Sequence, residues 1–214
     1  MSRKLLLVAA TYEEIQPLFV QQGWERTTYR ESPGLDIVVT GVGMTATAYA
    51  LGRQLHKPYS LILNVGIAGS FSREIALGSL VQVTSDTFSE LGAEDGQMFL
   101  PIDTLGFGQA NFTPPALSHP LTASLTQVAG ITVNTVHGRE EHIAQIRERL
   151  QVQTESMEGA AVFYAAMQAG VPVMQIRAIS NYVEKRNREQ WKIGLAIHNL
   201  NQWLMTFLQP LIMN

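Results

Sequence analysis

Residues 157–181, MEGAAVFYAAMQAGVPVMQIRAISN, contain in one stretch the alternation that decides the fold class. Met157 to Gln168 reads as a helix of small and apolar residues ended by Gly170, and Val173 to Ile179 as an apolar strand that stops at Ser180 and Asn181. A strand without polar alternation is covered on both faces, the habit of parallel or mixed sheets flanked by helices. One residue breaks the apolar character. Glu158 stands among Met157, Gly159, Ala160, Ala161 and Val162, where a carboxylate needs a partner: a structural ion pair with Arg177, or a ligand. Glycine and alanines at 159 to 161 clear space beside it, which favours the ligand.

The same rhythm extends outward. Further apolar runs at Leu5 to Ala10, Leu35 to Thr40, Leu61 to Val65, Leu80 to Thr84 and Ile131 to Val136 predict strands. Helical spacing covers Met44 to Leu55, Glu141 to Leu150 and Glu189 to Leu208, the last stopping at Pro210. Alternating strands and helices predict an α/β sandwich, one domain over residues 1–214. Residues 85–120 break the rhythm with glycines and prolines and predict a long loop that covers a site or a subunit contact.

Composition excludes several function classes. The 214 residues are 46% hydrophobic and carry a formal net charge of -3, with no basic stripe for a nucleic acid. There is no cysteine, so disulfides, thiolate zinc sites and cysteine nucleophiles are absent, and a reducing cytoplasm is expected. The run Leu5 to Ala10 is too short for a signal peptide, and no stretch has the roughly 18 apolar residues of a membrane-spanning helix.

In open α/β folds, ligands collect where strands end. After the first strand stand Glu13 and Glu14; after the second, TGVGMTA (40–46); after the third, NVGIAGS (64–70); after the last, Ser180 and Asn181. Gly41-x-Gly43 lacks the third glycine of a dinucleotide fingerprint and reads alone as a tight turn. Acidic residues at a helix N-terminus also favour its dipole, so one of Glu13 and Glu14 needs no further role. The histidines at 56, 119, 137, 142 and 198 lack metal-ligand spacing, and no Gly-x-Ser-x-Gly elbow occurs. Neither a metal nor a cofactor is expected.

In combination, AATYEEI, TGVGMTATA, NVGIAGS, SMEGAAV and RAISN resemble the purine nucleoside phosphorylase and nucleosidase superfamily over nearly the whole chain. ELGAEDG (90–96), ESMEGAAVFYAA and RAISNYVEKRNREQWKI resemble, within it, the futalosine hydrolase family of bacterial menaquinone biosynthesis. The resemblance implies a three-layer α/β sandwich with a central mixed, partly barrel-like sheet, a small-molecule purine nucleoside as partner, and a homodimer or larger assembly. It implies that Glu158 accepts hydrogen bonds from the ribose diol, that Met157 packs on the ribose, and that Glu14 deprotonates the attacking water, with Glu13 one residue away as the other candidate. Ile67, Ala68, Gly69 and Ser180 would line the substrate.

Asn181 departs from the aspartate of the methylthioadenosine/S-adenosylhomocysteine nucleosidases. Its NH2 suits the adjacent N7 and O6 acceptors of a 6-oxopurine, and so hypoxanthine as leaving group. The glycine loops carry no arginine, and Ile67 would leave phosphate oxygens unsatisfied, so water is the expected nucleophile, with Arg73 the contrary candidate. Arg186, Arg188 and Trp191 are candidates for the 5' carboxyphenyl chain of futalosine. The competing readings are an adenine-releasing nucleosidase or a phosphorylase on the same fold, and a nucleoside-binding protein without turnover.

Overall fold

The computed structural model describes residues 4–96 and 98–212. Along the chain come β1 (Lys4–Ala9), α1 (Tyr12–Gln21), β2 (Tyr29–Arg30), β3 (Leu35–Val39), α2 (Met44–Gln54), β4 (Tyr59–Ser70), β5 (Leu80–Phe88), β6 (Gly92–Asp95), β7 (Met98–Pro101), α3 (Ile102–Leu105), β8 (Asn111–Phe112), β9 (Thr126–Thr132), α4 (Glu140–Arg149), β10 (Thr154–Ser156), α5 (Gly159–Gln168), β11 (Val173–Tyr182) and α6 (Ile193–Ile212).

The main sheet runs β10-β9-β5-β11-β4-β1-β3-β2, with β8 on β5. Because β10 also pairs with β4, the strands β10, β9, β5, β11 and β4 close into a barrel, and β1, β3 and β2 continue from β4 as an open wing. Pairing is mixed: β1 lies parallel to β3 and β4, while β5 runs antiparallel to β11.

Apolar runs in the wing are continuous because both faces are covered. Leu5, Leu7 and Ala9 join Leu63, Val65, Ile176 and Ala178 beneath α1 and α6. Leu6, Val8, Val38 and Ile62 face the other way, onto Leu51 of α2 and Ala160, Val162 and Phe163 of α5. Each fully buried Leu, Ile or Phe contributes roughly 1.5–3 kcal/mol, so the wing is a stable platform for what the barrel holds.

Three expectations need correction. β4 does not end at Val65 but runs through the glycines to Ser70, and β11 continues through Ser180 and Asn181 to Tyr182. Inside the barrel these strands carry polar and glycine residues, so their apolar signal fades before the strand does. Residues 85–120 are not a bare loop: β5 extends to Phe88, β6 and β7 form a hairpin, and α3 and β8 follow. The last helix starts later and passes Pro210, because Leu211 and Ile212 beyond it still pack on the core.

Candidate active site

Glu14 is the third residue of α1, and a capping box joins it to Thr11. Its Oε2 accepts from the Thr11 amide at 2.9 Å and hydroxyl at 3.1 Å, and its Oε1 accepts from the Ile67 amide at 2.9 Å. Burial pushes the Glu14 carboxyl above its ordinary range, with Arg177 and these amides opposing. A carboxylate whose pKa is raised is the stronger base. Glu13 instead faces solvent and pairs with Arg26 at 3.0 Å. Of the two acids, Glu14 is the one buried beside Arg177.

Arg177 enters from β11 on the barrel's inner face and is 1% exposed. Its Nη2 donates to Asn64 Oδ1 at 2.8 Å and to Gln175 Oε1 at 3.0 Å. Gln175 in turn donates to Asp86 Oδ2 at 2.9 Å, and Thr132 donates to Asp86 Oδ1 at 2.9 Å. Nε and Nη1 of Arg177 have no hydrogen-bond partner among the described residues. Nη1 points between two acids: it lies 3.9 Å from Glu158 Oε2, and a methyl group on Gly66 would come within 2.4 Å of Nη1 and 2.6 Å of Glu14 Oε1. Only a glycine at 66 lets these two charges approach across β4.

Glu158 is the N-cap of α5 rather than a residue within it, and its Oε1 accepts from the Gly43 amide at 3.0 Å. Gly41 and Gly43 have φ of 88° and 97°, which an L side chain rarely adopts, so this loop needs glycine to turn its amide onto the acid. Arg177 is thus near Glu158 after all. Nor does Gly159 clear space for a ligand. A Cβ there would lie 2.0 Å from Asp86 Oδ2 and 2.2 Å from Gln175 Oε1, so the small residue makes room for the buried polar chain behind Arg177.

The second half of the site lies three residues along β4, roughly 10 Å at 3.3 Å per residue. A register shift between Ile179 and Asn181 sets Asn181 opposite Gly69. The Ser180 hydroxyl donates to Asn181 Oδ1 at 2.8 Å and lies 3.3 Å from the Ala68 carbonyl, which fixes the amide with Nδ2 as its free end. One Nδ2 hydrogen goes to the Tyr182 carbonyl at 3.0 Å, so one remains, not the two expected from the sequence. Met157 is half-buried against the cluster of Phe71, Ile131, Val133 and Val183. A cavity of about 500 Å³ opens beside Ala10, Thr11, Tyr12, Arg26, Gly41 and Val42.

A family model described as the phosphorylase superfamily matches residues 1–209. The futalosine hydrolase of Streptomyces coelicolor is 38% identical over 80% of this chain and 77% of that protein. The futalosine hydrolase of Acidothermus cellulolyticus is 36% identical over 80% and 74%. The chain belongs to the phosphorylase superfamily, and within it to the futalosine hydrolase family. A 5'-methylthioadenosine/S-adenosylhomocysteine nucleosidase from Colwellia psychrerythraea is more distant, at 26% identity over 83% and 81%. Among solved structures, the native futalosine hydrolase of Helicobacter pylori superposes with a TM-score of 0.80 at 15% identity over 98% of this chain and 99% of that one, which speaks for the fold.

In this futalosine hydrolase family member the sequence brings forward Glu14, Glu158, Met157 and Asn181, and Arg177 as a partner for Glu158, but not the chain Asn64, Gln175 and Asp86 behind Arg177. A signal was present: Gln175 and Arg177 alternate with Met174, Ile176 and Ala178, a period of two inside a run read as wholly apolar. Arg73, the candidate for phosphate, is exposed, pairs with Glu184 and lies 4.2 Å over the Tyr182 ring. Arg186 sits over the Trp191 ring at 5.0 Å. Among the described residues no three metal-ligating side chains cluster.

Proposed function

We propose that the chain hydrolyses the N-glycosidic bond of futalosine and releases hypoxanthine and the base-free sugar, a step of menaquinone biosynthesis. The observation that carries the reading is the buried pair across Gly66: a raised Glu14 carboxylate beside an Arg177 Nη1 that has no hydrogen-bond partner among the described residues. A buried donor left open beside a base is a place for a polar ligand atom, here the attacking water. Glu14 takes the water's proton as its oxygen adds to C1'. Glu158, with Oε1 held by Gly43, keeps Oε2 for the ribose diol, and its charge favours the cationic sugar of the transition state. Met157, Ile67, Ala68, Gly69 and Ser180 line the path to the base. Asn181 donates its remaining hydrogen to the purine edge.

The cavity beside Thr11 and Val42 is the space for the 5' chain, since apolar Ala10, Tyr12, Val39 and Val42 wall it and the Arg26–Glu13 pair stands at its rim. The reading includes a single domain over 1–214, a cytoplasmic location and a homodimer or larger assembly, for which exposed Tyr49, Leu91, Phe107 and Tyr164 are available surface.

The test is a phosphate-free incubation with futalosine, aminodeoxyfutalosine, inosine and methylthioadenosine, with free base measured by chromatography. Hypoxanthine from futalosine is expected. Adenine release in its place would return the chain to the methylthioadenosine-type nucleosidases, and activity that waits for phosphate would make it a phosphorylase. Asn181→Asp should shift the futalosine-to-aminodeoxyfutalosine rate ratio about tenfold toward the adenine substrate, since one hydrogen bond to the base edge is worth on the order of 1 kcal/mol.

A further inference from the structure

A third buried acid near the site has no part in the chemistry above. Glu155 on β10 is 4% exposed, and its carboxylate is given wholly to His137: Oε1 accepts from the His137 amide at 3.0 Å and Oε2 contacts ring Nδ1. The two oxygens hold the imidazole by its Nδ1 side, so Nε2 is the ring atom left to act on a ligand. Register places this pair. Gly69 of β4 is flanked by Glu155 on one side and Asn181 on the other, and cross-strand partners share a face. Across two strand spacings, roughly 10 Å, the His137–Glu155 pair lies on the same face of the sheet as the Asn181 amide, whose Nδ2 and the Val183 side chain border the space above Gly69.

The chemistry leaves a vacancy of the matching kind. A purine that departs from C1' takes the bond's electron pair, and an asparagine cannot give it a proton. We propose that His137, held by Glu155, is the general acid for the leaving base, which rests on the nucleosidase reading above. The C1'–N9 bond breaks with its electrons passing into the purine, and His137 Nε2–H transfers its proton to a ring nitrogen of the base. Water oxygen bonds to C1' and its proton passes to Glu14. Exchange with solvent then returns Glu14 to the carboxylate and His137 to the imidazolium. The charged groups around His137 are Glu155 on β10, Arg139 and Glu140 at the start of α4, and Glu184 and Arg186 on the segment against which Gly138 packs. Glu184 is engaged with Arg73, so Glu155 is the carboxylate that holds the His137 ring.

The experiment compares futalosine with p-nitrophenyl β-D-riboside, whose phenolate departs without a proton, in wild type and His137→Gln. General-acid catalysis is worth about 10²–10⁴-fold, so the futalosine rate should fall by about 10² while the ratio of the two substrates' rates falls more than tenfold. Glu155→Gln, which leaves the ring without its anchor, should likewise lower the futalosine rate more than the p-nitrophenyl riboside rate. Equal loss on both substrates, or a His137→Gln variant that keeps the wild-type futalosine rate, overturns the proposal. Absence of futalosine turnover in wild type would instead remove the nucleosidase reading, so the two failures are distinguishable.

Discussion

Two buried acidic clusters stand at opposite ends of the strands, and they differ in how completely their partners are supplied. Asp36, near the start of β3, is fully buried: Lys4 Nζ lies 2.6 Å from its Oδ1, and Tyr59 and Tyr29 hydroxyls donate to Oδ2 at 2.8 and 3.0 Å. Burial and Asp36 together push the Tyr59 phenol up, so it stays a donor. Asp36 Oδ1 has no hydrogen bond of good geometry, but the close Lys4 ammonium neutralises it. At the other end Glu14, Glu158 and Arg177 are buried too, yet among the described residues Arg177 Nε and Nη1 have no hydrogen-bond partner, and the nearest anion to Nη1, Glu158 Oε2, is 3.9 Å away. A satisfied cluster holds a fold together; an unsatisfied one at the carboxyl ends of the strands is arranged for something that arrives.

The largest test of that contrast is Glu14→Gln. The amide keeps the size and loses the base, so kcat for base release should fall by about 10³-fold while substrate binding by calorimetry persists. An unchanged kcat would remove Glu14 from the mechanism and leave it a capping residue of α1. Next is Gly66→Ala. Its methyl group would meet Arg177 Nη1 at 2.4 Å and Glu14 Oε1 at 2.6 Å, so the two must separate. A misplacement of 1 Å costs about 10²-fold, and that loss in kcat should exceed the loss of thermal stability. A drop in melting temperature with kcat intact would mean that the approach of the two charges is structural only.

These residues also show where the sequence was legible. Wing strands were readable because Leu5 to Ala9 and Leu35 to Val39 are apolar on both faces, and the α/β class followed. Individual catalytic candidates came from short motifs that the family resemblance interpreted. The barrel was not readable from composition or period, because closure depends on the three-residue β10 pairing with both β9 and β4. Asp86 lies in the segment whose glycines and prolines predict a loop, and the sequence offers Arg177 only as a partner for Glu158. Their hydrogen-bonded chain through Gln175 joins residues 89 and 2 positions apart in sequence, a separation that no local pattern encodes.

The satisfied cluster makes the opposite expectation. Asp36→Asn leaves Lys4 and Lys57 without their buried counter-charge, and breaking such a pair costs about 3 kcal/mol. Denaturant unfolding should register the loss, with kcat unchanged because the cluster lies at the far strand ends. A variant of full stability and impaired turnover would erase the distinction between the two ends.

The smallest expected effect lies behind Arg177. Burial raises Asp86 to about 6 from 3.8, against the opposing bonds from Gln175 and Thr132 and the charge of Arg177. Below pH 3.8 the acid is protonated in both folded and unfolded chains, and its contribution to stability is fully present. As pH rises toward 6 the unfolded chain gives up this proton first, so the contribution is lost across that interval at up to ~1.4 kcal/mol per pH unit. Asp86→Asn cannot ionise. Its stability relative to wild type should therefore improve by on the order of 2 kcal/mol between pH 4 and 7, read from paired urea midpoints. A constant difference would mean that Asp86 ionises alike in both states, and that its burial at the site end of the barrel imposes no electrostatic cost on the fold.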